Sequence, residues 1–452
     1  MKKTNRLGED PVLPLVLRLA IPTMLAQLVS VLYSIVDRMY IGAGVGDLAL
    51  AGVGVCGPIV TFIGSFGALV GLGGSPQLAM RLGENKPKAA ERILANSFLM
   101  LLVLSAVLTT VFLLLKDHLL MWFGASAATF TYADTYLTII ALGTFFALLA
   151  TGMNSFLICQ GFPGLGMATV MLGAVLNIIL DPIFIFVLNM DVAGAAIATV
   201  ISQMVSCVFV LCSLKRRLMP VRLKFGGFSL KIMGRIAAFG LSPFLIIASD
   251  SVLFIVLNTT LQHYGGPVEG DILVTCATIV QSYYLVICMP LGGLTAGSQP
   301  IVSFNYGAAK PHRITAAIKV VVGLCLGFCL LMTLVTYTLS PLFVRLFTSS
   351  AEIAPRAVHF IKIYTLMIIP LAVQYALVDE TTATGHVYLA LFCSMFRKLL
   401  FLACLVLLPM VFGAEAVFFS EPIVDVTAAL LTSILFLRFI PRHLQKLNRL
   451  PA

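Results

Sequence analysis

Long uninterrupted apolar runs constrain this chain more than any other feature. Each of twelve runs is long enough to cross the hydrocarbon core of a bilayer as a helix, which takes about 20 residues. A spanning β-strand would instead alternate in polarity over about ten residues. The runs lie at 13–36, 50–73, 93–115, 133–157, 166–188, 192–214, 236–260, 272–298, 315–338, 357–380, 387–411 and 414–437. The sequence therefore predicts an all-α polytopic membrane protein with twelve transmembrane helices.

Composition excludes the main soluble classes. Of the 452 residues, 60% are hydrophobic and 11% are charged, against about 25% charged residues in an ordinary soluble domain. So few charges cannot cover a water-facing surface, so a soluble globular fold, a disordered chain and a nucleic-acid-binding domain are excluded. The lipid bilayer is the expected partner, and nucleic acid is not.

The basic residues indicate how the chain is oriented in the membrane. The net charge is +10, and 24 of the 29 Lys and Arg residues fall on one side of the predicted helices. Because cytoplasmic loops are enriched in Lys and Arg, this side is predicted to be cytoplasmic. Both termini are then cytoplasmic, which agrees with an even number of helices.

An internal repeat divides the chain. Its midpoint falls in a basic linker at 215–235. Four short motifs of the first half recur in order in the second half at offsets of 221 to 224 residues. We therefore predict a six-helix bundle over 1–214, the cytoplasmic linker 215–235, and a second six-helix bundle with a tail over 236–452. Because six is even, the two halves share one orientation, as in transporters built from parallel repeats.

Carboxylates inside apolar helices are the strongest functional signal. Burying one costs about 3 kcal/mol on insertion scales. Asn177 and Asp181 are four residues apart and share a helix face, and Pro182 interrupts the hydrogen-bond ladder beside them. Their oxygen atoms suit a proton or a hard cation such as Na⁺. Asp37 follows Tyr33 by one turn in helix 1.

Several polar residues have two interpretations. Asp37 is either functional or an interfacial ion pair with Arg38, and Asn177 with Asp181 either binds an ion or ties helices together. Pro22 is a predicted bend point of helix 1, and Thr199 lies among small residues of helix 6. The remaining polar residues are interpreted as follows: Asp250 as functional in helix 7; Asp379 and Glu380 as either solvated or functional; Gln27 and Gln281 as packing or substrate contacts; Arg397, Lys398, Glu421 and Asp425 as a structural cluster.

The sequence contains no motif that supports nucleotide binding, nucleophilic catalysis or zinc binding. No Gly-Lys-Ser/Thr phosphate loop, nucleophile triad or zinc motif occurs in the sequence. The match to G-x-G-x-x-G at Gly52–Gly57 lies inside an apolar helix, where close helix packing explains it better than a dinucleotide. We therefore expect no enzyme activity, no organic cofactor and no metal other than a Na⁺ ion at the helix carboxylates.

The ordered motifs resemble those of the multidrug and toxic compound extrusion (MATE) transporters, in the style of the prokaryotic MepA- and DinF-like members. The resemblance extends over about residues 10–440. The motifs that carry it are Ile21-Pro22 through Gly42, Gln160-Gly161, Asn177 through Pro182, Ala193-Gly194-Ala195, Arg397-Lys398, and Glu421-Pro422 through Asp425. Their order along the chain is more specific than any single motif.

The resemblance implies a V-shaped pair of six-helix bundles that exports organic cations in exchange for H⁺ or Na⁺. The ion site of the N-terminal half would then comprise Asp37, Asn177, Asp181 and Thr199, supported by Tyr33 and Tyr136. Some members use acids of helices 7 and 10, for which Asp250 and Asp379 are the candidates. The expected location is the bacterial cytoplasmic membrane, and a monomer is expected.

Two alternatives remain. A lipid-linked oligosaccharide flippase of the same superfamily would need Arg for pyrophosphate, and the centres of helices 1, 2, 4, 7 and 8 have almost no Arg or Lys. A membrane-embedded enzyme would need a catalytic constellation, which the sequence does not show.

Overall fold

The computed structural model describes residues 7–123, 126, 128–348 and 350–447, and this part of the chain is helical, with short connections apart from the non-helical segment 216–229 between the sixth and seventh helices. The ends of the two predicted halves, 1–6 and 448–452, lie outside it. The first six helices are α1 (Val12–Gly44), α2 (Asp47–Gly83), α3 (Pro87–Trp122), α4 (Phe130–Cys159), α5 (Pro163–Pro182) and α6 (Asp191–Lys215). The others are α7 (Leu230–Gly266), α8 (Ile272–Gly307), α9 (Pro311–Arg345), α10a (Ile353–Tyr364), α10b (Ile368–Ala383), α11 (Val387–Phe412) and α12 (Ser420–Leu447).

Eleven helices of the described chain are long and apolar enough to cross a membrane singly, and the count is twelve when the pair α10a and α10b is taken as one broken span. The pair is bent by 50°, whereas the sequence predicts one unbroken run over 357–380. Pro370 explains the break, because its ring would clash with the carbonyl group four residues earlier in a continuous helix. In the first turn of α10b the missing N–H removes no helical hydrogen bond.

Pro182 also changes the local helix type. The α-helical geometry of α5 ends at Pro182, and the chain continues as one π-helical turn over Ile183–Val187. Proline has no N–H to donate to the carbonyl four residues back, so the following residues re-pair at a wider spacing. This widened turn lies directly after Asp181.

Most helices pack into one of two large apolar cores, and α1 and α7 contribute to both. The first core contains α2 to α6 and the end of α1, including Ile41, whereas the second contains α8 to α12. The start of α1 packs into the second core through Leu15, Val16, Leu19 and Ala20. Reciprocally, Ile236 at the start of α7 packs into the first core.

Glycines permit these crossings. A Cβ atom at Gly240 of α7 would lie 1.7 Å from Leu69 O of α2, and one at Gly297 of α8 would lie 2.8 Å from Leu19 O of α1. At the ends of α2 and α8, a Cβ atom at Gly83 would lie 2.0 Å from Phe304 O. The backbones therefore approach more closely than any larger residue allows.

The segment before α1 is tied to the loop between α8 and α9. Arg313 Nη2 donates to Asp10 O at 2.6 Å, and Lys310 Nζ donates to Gly8 O at 3.0 Å. Asn305 Nδ2 donates to Leu7 O at 3.0 Å. We call the end of the molecule that carries this loop and Arg81, Lys86 and Lys88 the basic end.

Candidate functional site

A buried polar pocket lies between α1, α5 and α6. Asn177 Nδ2 donates to Asp181 Oδ1 at 3.0 Å along α5, and to Thr199 Oγ1 of α6 at 3.3 Å. Asp181 is fully buried, and Asn177 is 2% exposed. The helical spacing of four residues places both side chains on one face, as the sequence predicts, and the packing of α6 adds the hydroxyl group.

The end of α1 completes this pocket. The carboxyl group of Asp37 is a hydrogen-bonding neighbour of the Asp181 carboxyl. The phenol groups of Tyr33 and Tyr136 lie close enough to interact electrostatically with Asp37. The structure therefore brings together all six residues predicted for the ion site and its support. The side chain of Arg38, the alternative partner of Asp37, lies outside the described part of the chain.

The chemistry of this pocket suits a proton or a hard cation. Two carboxyl groups in hydrogen-bond contact cannot both be ionised without repulsion, so a shared proton or a bound cation relieves it. The amide oxygen of Asn177 is buried, and no donor within the described residues reaches it. The remaining ligands are carboxyl and hydroxyl oxygen atoms, the donor type of Na⁺-like hard cations.

The family of the chain follows from comparison with known proteins. The MatE family model matches residues 22–183 and 247–424, which include the pocket residues Asp37, Asn177 and Asp181. The chain belongs to the MatE family. The predicted MATE resemblance is thereby confirmed.

Among curated MatE-like relatives, the chain is 26% identical over 425 residues to the multidrug export protein MepA of Staphylococcus haemolyticus strain JCSC1435. The match covers 94% of this chain and 93% of the relative. It is 24% identical to MepA of Staphylococcus aureus strain MSSA476, over 93% of each chain.

Solved structures confirm the MATE fold. An outward-facing multidrug resistance MATE family transporter of the MOP superfamily superposes with a TM-score of 0.91 at 23% identity, over 99% of both chains. A MOP superfamily transporter from Pyrococcus furiosus Vc1, described with a binding pocket of reverse polarity, superposes with the same TM-score and identity over 99% of both chains.

Within this MATE fold, the acids predicted for helices 7 and 10 have separate partners. Asp250 of α7 forms a salt bridge with Lys398 of α11 and is about half exposed. Asp379 of α10b instead accepts a hydrogen bond from Thr295 Oγ1 of α8 at 2.5 Å. The structure thus gives each acid a distinct environment in the second half.

The predicted substrate contacts also lie apart from one another. Gln27 packs against Gly293 where α1 crosses α8, one turn after Pro22, which α1 passes as a single helix. Gln281 donates to Tyr364 Oη at 2.8 Å inside the second half. Both glutamines therefore make packing or structural contacts here.

A second buried network was predicted only in part. Arg397 Nη2 donates to Asp425 Oδ1 at 3.0 Å, forms a salt bridge with Glu421, and contacts Tyr284 Oη at 3.1 Å. The sequence predicts a cluster of Arg397 and Lys398 with the two acids of α12. That prediction is wrong for Lys398, which pairs instead with Asp250 of α7. Tyr284 was missed, because it lies more than 100 residues away and no local motif marks it.

Proposed function

We propose that this MatE-family transporter exports organic cations in exchange for H⁺ or Na⁺, and that the coupling ion binds at Asp37, Asn177, Asp181 and Thr199. The observation that carries the proposal is the environment of Asp181. It is fully buried, its neighbours are Asn177 and Asp37, and no Lys, Arg or His pairs with it in the described chain. Such a carboxyl group needs a proton or a cation to be stable in the membrane.

Ion binding changes the energetics of α1. Neutralising the carboxyl pair removes the repulsion between α1 and α5, so the state in which these helices approach becomes more populated. The start of α1 packs into the other half of the molecule. A change at the Asp37 end therefore alters the contact between halves that must open and close during transport.

Several finer features belong to the same proposal. The names of the MepA relatives, multidrug export proteins, support outward transport of several compounds by a transporter rather than an enzyme. The clustering of basic residues at the basic end supports N-in, C-in topology in a bacterial cytoplasmic membrane. We propose that the chain works as a monomer with the halves bounded at the linker 215–235.

The test is energised efflux of ethidium from vesicles that contain the purified protein, with a pH gradient and a Na⁺ gradient imposed separately. We expect Asp181→Asn to abolish gradient-driven efflux, because the amide cannot take up a proton and binds Na⁺ weakly. Whichever gradient drives ethidium efflux by the wild-type protein identifies the coupling ion as H⁺ or Na⁺.

The matched control is Asp117→Asn, which removes an exposed aspartate near the end of α3 and should retain wild-type efflux. Both variants must reach the membrane in similar amounts. Full efflux by Asp181→Asn would contradict the proposed coupling site, and efflux of a lipid-linked sugar pyrophosphate instead of ethidium would favour a flippase.

A further inference from the structure

The linker between the two halves is a segment packed onto the first half and not a free tether. Residues 216–229, between α6 and α7, have no helical structure. Val221 N donates to Gln160 Oε1 at 2.8 Å, just beyond the end of α4. Three side chains of the segment are buried in the first apolar core: Met219, Val221 and Leu223. The segment therefore has a fixed inner face and a fixed outer face.

The outer face presents large apolar side chains. Pro220, Arg222 and Lys224 are exposed between the buried residues, because successive side chains of an extended chain point to opposite sides. Four large apolar residues are also exposed in the linker 215–235: Leu218, Phe225, Phe228 and Leu230. Phe225 is 68% exposed and Leu230 is 86% exposed. Contact of apolar surface with water costs about 25 cal/mol per Å², so this face favours an apolar neighbour outside the described chain.

Asn96 of α3 fixes the part of the linker that carries the two phenylalanines. Asn96 Nδ2 donates to Gly227 O at 3.1 Å, and Asn96 Oδ1 accepts a hydrogen bond from Ser229 N at 2.8 Å. Gly226 and Gly227 have φ angles of 123° and 70°, which residues with a side chain rarely adopt. The glycines thus allow a tight turn against α3, and Asn96 holds it there.

The contact with α3 indicates the depth of this turn. The ring centroid of Phe225 lies 5.5 Å from that of Phe98 on α3. Phe98 comes five residues after the start of the apolar run 93–115, which is about 8 Å along the helix axis. Farther along α3, Val103 and Leu114 are exposed, as expected of a lipid-facing helix. Phe225 therefore lies at the level where lipid headgroups meet the acyl chains, the level at which interfacial segments bury their apolar side chains.

The charged side chains around these apolar groups are positive. The linker contains seven Lys and Arg residues and no acidic residue. All seven are exposed: Lys215, Arg216, Arg217, Arg222, Lys224, Lys231 and Arg235. Lys224 forms a salt bridge with Glu91 of α3, and no salt bridge among the described residues involves the other six. Basic side chains beside exposed apolar ones at a membrane surface are complementary to anionic lipid headgroups.

The preference for Lys and Arg in cytoplasmic loops accounts for only part of this pattern. That preference explains the positive charge, but it does not require exposed phenylalanines among the charges or a turn fixed against α3. An acidic protein would also match the charge. It would not reach Phe225, however, because the contact with Phe98 lies beyond the start of the apolar part of α3.

We propose that the linker 215–235 is a binding site for anionic phospholipids of the leaflet at the basic end. Phe225, Phe228 and Leu230 enter the edge of the acyl-chain region, and the exposed basic side chains bind the headgroup phosphates. Arg222 is the principal phosphate ligand, because it lies on the outer face near Phe225 and its planar guanidinium matches phosphate geometry. Since the linker joins α6 to α7, bound lipid holds the junction of the two halves against the membrane.

Quenching of a single tryptophan by brominated lipids tests this site in the full chain reconstituted into vesicles. Trp122 is the only tryptophan, so Phe228→Trp in a Trp122→Phe background reports on the linker alone. The probes are phosphatidylglycerol and phosphatidylcholine brominated on their acyl chains, each diluted into unbrominated phosphatidylcholine. We expect both lipids to quench the fluorescence, with phosphatidylglycerol binding at least tenfold more strongly at low ionic strength.

Removal of one charge should weaken this lipid preference. We expect Arg222→Gln to lower the preference for phosphatidylglycerol about fivefold, the factor expected for one basic residue near an anionic surface. The matched control is Arg442→Gln, which removes an exposed arginine of α12 at the same end of the molecule and should retain the preference. Leu230→Trp in the same background is a second reporter that keeps the test decisive if Phe228→Trp folds poorly.

Three results would overturn the site. The first is equal quenching by the two lipids, or a preference that Arg222→Gln leaves unchanged. The second is loss of the preference when inorganic phosphate is added at constant ionic strength, which would indicate a site for free phosphate. The third is absence of quenching by either lipid together with protection of the tryptophan by polyglutamate, which would indicate an acidic protein partner. None of these measurements uses an ion gradient or ethidium, so failure of the transport proposal remains distinguishable.

Discussion

At the scale of single residues, buried charge determines which side chains can be replaced. Arg397 holds Glu421 and Asp425, both nearly or fully buried. Removing one partner of such a group leaves uncompensated charge and costs about 3–5 kcal/mol. We therefore expect Arg397→Met to lower the thermal unfolding midpoint of the detergent-purified protein substantially, and the added changes Glu421→Gln and Asp425→Asn to restore much of it.

An exposed ion pair provides the control. Lys224, between α6 and α7, pairs with Glu91 of α3, and their side chains are 59% and 30% exposed; exposed ion pairs contribute about 0–1 kcal/mol. Lys224→Met should therefore leave the midpoint nearly unchanged. Equal losses in both variants would show that loss of any ion pair, rather than of the buried network, sets the effect.

The sequence predicts contacts between residues that are close along the chain better than contacts between residues that are far apart. Asn177 and Asp181 were predictable partners, because helical spacing of four residues fixes their contact. The sequence admits both a solvated and a functional interpretation of Glu380, which is buried and contacts Ser298, 82 residues earlier. Only the packing of α8 against α10b shows that Glu380 is buried.

At the scale of helices, glycine positions decide where the two halves can touch. Gly240 has no room for a side chain against α2, whereas Gly323 of α9 has open space around its Cα. We expect Gly240→Ala to destabilise the protein by about 1–3 kcal/mol through overpacking. Gly323→Ala should be neutral or stabilising by up to about 1 kcal/mol through helix propensity.

Thermal unfolding of the two variants in the same detergent checks this contrast. A lowered midpoint in Gly240→Ala, with an unchanged or raised midpoint in Gly323→Ala, supports a close crossing of α2 and α7. Similar midpoints in the two variants would contradict it. The sequence predicts small residues at helix contacts in general. It cannot show which glycine meets another backbone, since that depends on how the helices cross.

Helix boundaries show a similar limit. Apolar runs were sufficient to predict the number of spans, because a bilayer requires a minimum length of apolar helix. They were not sufficient to predict the break between α10a and α10b, because hydropathy does not register the steric effect of Pro370. The runs also ended early at α2, where helix continues to Gly83 beyond the apolar part.

At the scale of the whole molecule, the segment before α1 links the first and second halves. Arg313 donates to the carbonyl oxygens of Leu7 and Asp10. A hydrogen bond from a charged group contributes about 1.5–3 kcal/mol. We therefore expect Arg313→Gln to speed hydrogen exchange of the amides of residues 15–20 by about tenfold or more.

Mass spectrometry of the exchanged peptides measures this effect. Lys319→Gln removes an exposed cation on the same helix and should leave exchange unchanged. If Arg313→Gln also exchanges at the wild-type rate, the contacts of Arg313 do not hold the start of α1 against the second half.

The sharing of α1 between the two cores has a mechanical consequence. Ala20 and Asp37 are separated by 17 residues of one helix, or about 26 Å, and Pro22 between them removes one hydrogen bond of the helix. If the proposed ion pocket moves α1, a single helix can carry that displacement to the second half, as a shift of the whole helix or as a bend at Pro22. Coupling between the two halves then needs no chain of intermediate side chains.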